Sequence, residues 1–484
     1  MSHHVHIKDL PLQGEHIDPS RVAKPARNLA ITGAILLAFS LGMLLFGSET
    51  TRGQYAFSYL FAVFFGFTLV AGGIFWTLLH NLSNSGWGIV VRRMMESIGM
   101  LMPVVGLLAL PLILVPELRH TLWKWTFYED YAKKQLASEE VRDSFHRAWE
   151  AEVATATAAR ESALEAGQEG EAAIYQRRLE QIGDNPPSDS YMLRELLLEL
   201  DGLLAVKYPF LNWTFFVFRF FAYFVVLTAL IRFMYRLSTR QDKEGGVTNS
   251  LRARFHSSWG MIVFALCVSF LAIDWVMTLD FHWFSTMWGV YIFAGSALAS
   301  MAVLVLVVSW LRSIGHLKHV VSEEHYHVMG KLLFAFTVFW AYIAFGQFFL
   351  IWYANLTEET SWFITRNTEH YNTLSIALVI FHFAVPFLFL IPAWVKRSPK
   401  LLTLAAAYLV VVHFLDVWLM IIPLRGPVVT GGLQHYIPGS IFGDIIACVG
   451  VLCVLTAVFL HNIRKASLFP CRDPRLLESL HLHN

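Results

Sequence analysis

Long apolar stretches alternate with short polar ones along the chain, and their spacing predicts helices that cross a membrane. A spanning helix needs about 20 mostly apolar residues. Ten stretches reach that length, at residues 28–47, 54–79, 87–115, 209–236, 257–279, 283–311, 330–354, 371–394, 401–423 and 438–461. The expected fold is all-α and integral to the membrane. Spans two to five and six to nine form two four-helix bundles, with flanking helices at either end. One long polar interruption, residues 118–206, lies between spans three and four. Within it, "ASEEVRDSFHRAWEAEVATATAARESALEAGQEGEAAIYQRRLEQIG" is rich in the helix formers Ala, Glu and Arg. "DNPPSDS" interrupts that helix, and "YMLRELLLELDGLLAVK" has an amphipathic period. The insertion therefore reads as a helical hairpin, either docking a partner or decorating the surface. The chain divides into a tail (1–27), three spans (28–117), the insertion (118–206), seven spans (207–463) and a second tail (464–484).

Composition supports this reading. The chain of 484 residues is 56% hydrophobic, against about 45–50% in soluble domains. A net charge of +1 gives no reason to expect nucleic acid. The cysteines are Cys267, Cys448, Cys453 and Cys471, with no CxxC or CxxCH among them. That spacing excludes attached haem c and a four-cysteine iron–sulfur cluster, and it offers no disulfide framework. The opening residues lack the apolar core of a signal peptide. "HHVH" near the start is read as an incidental histidine cluster rather than a metal site.

Charge sets the expected orientation. Lys8, Arg21, Lys24, Arg27, Arg236, Arg240, Lys243, Arg252, Arg254, Arg312, Lys318, Lys396, Arg397, Lys400, Arg464, Lys465, Arg472 and Arg475 fall on one side of the ten-span pattern. The opposite short loops carry little beyond Arg52, Arg366 and Arg425. The positive-inside rule then places both termini in the cytoplasm and the insertion outside.

Polar residues inside the spans carry the candidate chemistry. A charge at a helix centre costs about 2.5–3.5 kcal/mol on insertion scales, so such groups face protein, partners or water. "AIDWVMTLDFHW" puts Asp274 about one turn below the outer end of span five. Arg219, Asp274, Gln347, His382, His413, Asp416 and Asp444 form an outer group. Asp416 lies three residues after His413 and shares its helix face. Arg92, Arg93, Glu96 and Lys331 form a second group near the cytoplasmic side. These groups read as two halves of a proton path. The competing reading is interhelical glue, made of Arg–Asp pairs and histidine hydrogen bonds. "AIDWVMTL" and "FLDVWLMII" echo each other at the ends of spans five and nine, which hints at a repeat. His382 and His413 also lie at matched depth, as the axial ligands of a haem b would.

Two stretches bring a family into view. "AIDWVMTLDFHWFSTMWGVYIFAG" (272–295) and "GKLLFAFTVFWAYIAFGQFFLIWYANLTEETSWF" (330–363) closely resemble the ActF family. These are the second quinone-binding-type membrane subunits of alternative complex III, in the NrfD / polysulfide reductase membrane-subunit superfamily. "KYPFLNWTFFVFRFFAYF" (207–224) is similar to the family's approach to span four, and the resemblance covers about residues 207–423. Phe281, Gly346 and Thr357 depart from the family pattern, where Pro, Ser and Pro are expected, and the insertion is longer than usual.

The resemblance implies a subunit of a quinol:cytochrome c oxidoreductase of the bacterial inner membrane. It implies no redox cofactor in this chain, with quinone or menaquinone as a candidate ligand. Haem c and iron–sulfur clusters would sit on partners: a sibling NrfD-like subunit, an iron–sulfur subunit, multihaem cytochromes c and a terminal oxidase. The chain would then contribute a proton path among membrane lipids. Carried onto matching positions, Asp274, Asp280 and His282 belong to the first motif, and Lys331, Gln347 and Glu358 to the second. A quinol site, a purely structural scaffold and a secondary transporter remain the alternatives. Against transport, no pair of Gly/Pro-broken spans is evident, although Pro103, Pro111, Pro386 and Pro392 fall where they could kink helices.

Overall fold

A computed structural model describes residues 14–183, 185–430 and 440–482. "HHVH" and Lys8 lie outside the described residues. Those described form helices and no strand, and ten of the helical segments are long and apolar enough to cross a membrane. The chain is an all-α, multi-pass membrane protein.

The helices follow in chain order. First come α1 (Pro19–Phe46), α2 (Glu49–Leu82), α3 (Ile89–Gly99), α4 (Met102–Leu114) and α5 (Pro116–Leu122). Then come α6 (Lys124–Leu136), α7 (Glu139–Glu165), α8 (Glu169–Ile182), α9 (Asp189–Leu200) and α10 (Gly202–Lys207). The next five are α11 (Trp213–Glu244), α12 (Thr248–Trp275), α13 (Trp288–Ser313), α14 (Glu323–Ala354) and α15 (Thr357–Arg366). After them lie α16 (Glu369–Leu378), α17 (Val385–Leu390), α18 (Ala393–Arg397) and α19 (Pro399–Ile421). The last are α20 (Arg425–Thr430), α21 (Ser440–Ile463) and α22 (Leu476–Leu480). The chain divides into two compact units, Trp123–Phe218 and the remainder.

In the larger unit α2 is the axis, buried along nearly its whole length. It packs on α13, α21, α12 and α3. A Cβ on Gly72 would come within 2.2 Å of the Ser296 carbonyl, so α2 and α13 touch backbone to backbone. Small residues permit such approaches between membrane helices. The two groups of four spans therefore share the α2–α13 seam. The first and last spans, α1 and α21, also pair. A Cβ on Gly33 would lie 3.0 Å from the Gly450 carbonyl.

Several boundaries differ from the sequence reading. α1 starts at Pro19, inside the expected tail, because Asp18 accepts a hydrogen bond from Ser20 N at 2.9 Å and caps it. The third span is two helices. Pro103 has no N–H for the Gly99 carbonyl, so the ladder stops at Gly99 and restarts at Met102. The eighth span widens into a π-helix over Val379–Ala384, just before Pro386. Pro386 cannot donate backward, and Tyr408 Oη supplies a bond to the Phe381 carbonyl instead, at 2.7 Å. Two spans are thus altered near prolines, the third by a break and the eighth by a π-turn, and they do not hold corresponding positions in the two groups of four.

The second tail also has an unexpected structure. Residues after α21 fold back across the end of the bundle that holds the chain's first described residues. Leu468 N donates to the Glu15 carbonyl (2.7 Å), and Arg472 Nη1 to the Lys243 carbonyl (2.8 Å). Arg475 Nη1 bonds the Asn84 carbonyl, and Ser479 Oγ donates to the Trp87 carbonyl at 2.8 Å. This end is called the terminal end below.

The smaller unit is helical but forms its hairpin elsewhere than expected. The segment read as one long helix turns at Gly167, whose φ of +71° suits glycine. α7 and α8 then pack against each other, with Arg178 paired to Glu152 at 3.1 Å. α9 packs on α6 instead. Glu129 is buried, accepting from Lys133 Nζ (2.6 Å) and Trp213 N (2.8 Å).

Candidate functional site

The outer group separates into three buried carboxylate clusters. In the first, Asp274 in the last turn of α12 is gripped by α11. Arg219 donates from Nε to Oδ2 and from Nη2 to Oδ1, both at 2.8 Å. Tyr223 Oη adds a bond to Oδ2 at 2.7 Å. Arg219 and Tyr223 are four residues apart and share a face. A two-pronged guanidinium fits a carboxylate in one geometry and neutralises it.

A second cluster has the same plan with other parts. Asp444 on α21 accepts from Arg425 Nη1 (2.8 Å), Ser58 Oγ (2.5 Å) and Trp418 Nε1 (2.8 Å). Arg425 Nη2 also donates to Ser440 Oγ at 2.7 Å. Arg425 reads in the sequence as a loop charge, yet it is buried. Arg366 is another such case. It donates to the Leu419, Met420 and Trp362 carbonyls at 2.6–2.8 Å and lies 3.2 Å from the Trp362 ring centre. It caps the C-terminal carbonyls of α19, where a cation is favoured. Burial pulls its guanidinium down to about 9.

The third cluster is built differently. Asp416 on α19 accepts from Tyr291 Oη on α13 (2.5 Å) and Trp340 Nε1 on α14 (3.1 Å). Its charged-type neighbours are two histidines. His413 Nδ1 lies 3.7 Å and His382 Nδ1 4.0 Å from Oδ2. All three side chains are buried. His382 stands in the π-helix, with the Trp340 ring centre 3.9 Å from its own. π-turns within α-helices occur often at functional sites. Neither ring nitrogen of His382 has a hydrogen-bond partner among the described residues.

Geometry fixes the tautomer of His413. Thr68 Oγ1 donates to the Phe65 carbonyl at 2.7 Å, so it accepts from His413 Nε2 at 3.0 Å. Nε2 therefore carries a proton. Nδ1 then faces the carboxylate with either a lone pair or a second proton. A buried bare carboxylate is costly unless paired. Both histidine Nδ1 atoms lie within 4.0 Å of Oδ2, and the two ring centres are 6.3 Å apart. Asp416 Oδ2 thus lies near Nδ1 of both rings.

Two signals in the sequence come together here. Tyr291 and Trp340, each from one of the two stretches that carry the family resemblance, bind the same carboxylate. The stretches meet again where Trp283 stacks on Trp362 at 4.5 Å and donates to the Glu359 carbonyl at 3.0 Å. Gln347 is buried on α14 two turns beyond Trp340, hence on the same face. The other motif positions stand apart. Asp280 Oδ1 accepts from His282 N at 3.2 Å, and His282 and Glu358 are exposed.

The expected cytoplasmic group is a network at the terminal end. Glu96 lies 3.4 Å from both Arg92 Nε and Arg93 Nε. Arg92 pairs with Asp473 at 3.1 Å and Arg93 with Asp242 at 2.9 Å. Neither aspartate was legible as a partner, since one lies past the span ends and the other in the tail. Glu96, Ser238, Gln241 and Asn249 line a cavity of about 10 Å³, room for one water. Lys331 is exposed on α14, where its charge faces Lys396 and His327, and it does not enter this network.

Comparison with known proteins finds no family model and no curated protein that matches the chain.

Proposed function

We propose that this chain is a membrane subunit of a bacterial respiratory quinol:cytochrome c oxidoreductase of the alternative complex III type, and that it carries protons. One observation supports this most: Asp416 is buried beside two histidines and, among the described residues, has no arginine or lysine paired to it. Arg219 and Arg425 neutralise the other two carboxylates permanently. Asp416 instead has two imidazoles beside its Oδ2, side chains that can each take up or give away a proton. The Glu96 network supplies a polar group beside a small cavity toward the terminal end. On this reading both termini lie in the cytoplasm and the membrane is the bacterial inner membrane. Quinone contact, if it occurs in this chain, is secondary to proton transfer. The redox centres, haem c and iron–sulfur, sit on partner subunits, beside a sibling NrfD-like chain.

Purification from native membranes in mild detergent, with visible spectra and mass spectrometry, tests the assembly. Multihaem c and iron–sulfur subunits should accompany the chain, and Asp416→Asn should lower proton release per electron. A colourless solitary protein after gentle extraction would sink the proposal. The second reading is secondary transport, favoured by the proline-interrupted third and eighth spans. Those two spans do not hold corresponding positions in the two groups of four, which weakens it. Substrate uptake by the chain alone in vesicles would establish it.

A further inference from the structure

We infer that a groove beside α1 holds an anionic phospholipid of the leaflet at the terminal end. The groove has a volume of about 750 Å³ and lies among α1, α2, α13, α19 and α21. That is within the range of about 300–1,000 Å³ for small-molecule sites. Its walls are mostly apolar, with Val307, Val410 and Leu455 among them, and among the described residues its only charged lining residue is Arg21 at the mouth. Trp310 lies near the same rim, the depth at which tryptophan meets lipid headgroups.

Depth and charge select the occupant. The groove runs along α13 from Ile314 to Val303. Those eleven steps span about 16 Å at ~1.5 Å each, and a bilayer core is about 30 Å thick. The cavity thus starts at one interface and ends near the midplane, the reach of a single leaflet. Away from the mouth, the one hydroxyl among its described lining residues is Thr456 on α21, and no charged group stands there. Its mouth offers Arg21, with exposed Lys24 and Arg27 on the next turns of α1. Of the nearby acidic groups, Asp18 caps α1, and Glu15 is held by His316 Nδ1 (2.7 Å) and Leu317 N (3.1 Å). Arg21 uses one donor on the Ile314 carbonyl at 3.3 Å, and a guanidinium has five. A phosphate at Arg21 with an acyl chain along α13 satisfies both ends of the groove. The alternative occupant, an isoprenoid quinone tail, is longer than one leaflet and carries no charge for Arg21.

The test uses the full chain in nanodiscs of phosphatidylcholine with increasing phosphatidylglycerol, either lipid carrying brominated acyl chains. Bromine quenches nearby tryptophan, and subtracting the Trp310→Phe protein isolates the signal at the groove. Brominated phosphatidylglycerol should quench Trp310 at about fivefold lower mole fraction than brominated phosphatidylcholine, the effect of one arginine on an anionic lipid. Arg21→Gln should abolish that preference, and Val307→Trp should abolish the quenching. Equal quenching by the two lipids overturns the proposal. So does displacement of the quenching by added menaquinone but not by unbrominated phosphatidylglycerol. If Val307→Trp does not fold, the wild-type and Arg21→Gln titrations still decide.

Discussion

Asp274 and Asp416 occupy matching places. Each lies near the end of a long apolar helix that passes into a 3₁₀ turn, at Met277–Asp280 and Ile422–Leu424 respectively. Each is buried and receives a tyrosine hydroxyl. What differs is the cation. Asp274 has an arginine in a two-pronged grip, and an arginine does not give up its proton in a protein. Asp416 has two imidazoles at 3.7 and 4.0 Å and, among the described residues, no guanidinium paired to it. The first site fixes helices α11 and α12 together. The second sets two imidazoles from α19 and the π-helix beside the carboxylate. A buried carboxylate alone therefore says little about proton transfer; its partner's chemistry decides.

Four measurements break or sharpen that contrast. Arg219→Leu strands the Asp274 charge and should cost about 3–5 kcal/mol, the usual loss on removing one partner of a buried pair. A fall in thermal midpoint of the detergent-solubilised protein reads it, and Arg219→Leu with Asp274→Leu should regain most of the loss. Asp416→Asn keeps an acceptor for Trp340 Nε1, so stability should change by only about 1 kcal/mol. Proton release by the assembled complex should drop about tenfold or more, while Asp274→Asn leaves it near normal; the reverse pattern would exchange the two roles. Thr68→Val removes the acceptor that sets the His413 tautomer and should cost about 1 kcal/mol. It should also shift the pH profile of turnover, which a packing defect elsewhere would not. The smallest effect belongs to an exposed pair used as a control. Arg475 holds the Glu478 carboxyl below its ordinary 4.5. That contribution is complete above pH 4.5 and fades as the pH falls below it. It should amount to a few tenths of a kcal/mol, seen as faster hydrogen exchange of the C-terminal segment in acid.

Much of the scaffold is written in apolar run lengths. All ten spans are found near their expected positions because twenty apolar residues have few other solutions. The breaks were harder to read. Pro103 and Pro386 are visible in the sequence, but a proline within a membrane helix can kink it, split it or widen it, and neighbours choose. Tyr408, which repairs the eighth span, comes 27 residues after the carbonyl it serves. The candidate residues were legible as types: charge or imidazole within apolar runs. Their grouping was not, since Ser58 and Asp444 are 386 positions apart and Arg219 and Asp274 are 55 apart. Arg366 and Arg425 were assigned to loops because linear distance from an apolar run does not reveal a side chain reaching back. Gly295 carried no signal at all, yet a Cβ there would lie 3.0 Å from the His413 ring.

The pairing of α1 with α21 has a consequence for how the protein is made. The first span leaves the ribosome more than 400 residues before its main partner. Until the last span arrives, the glycine seam on α1 faces lipid, and one side of α2 has nothing to lean on. The nascent chain must wait in the bilayer with its central helix uncovered, and synthesis of the C-terminal segment both completes the seam and fastens the end of the bundle. A stop codon just before α21 would therefore remove more than one helix: it would leave an open assembly, recognisable to membrane quality control by the same apolar and glycine-rich surfaces that the finished protein hides.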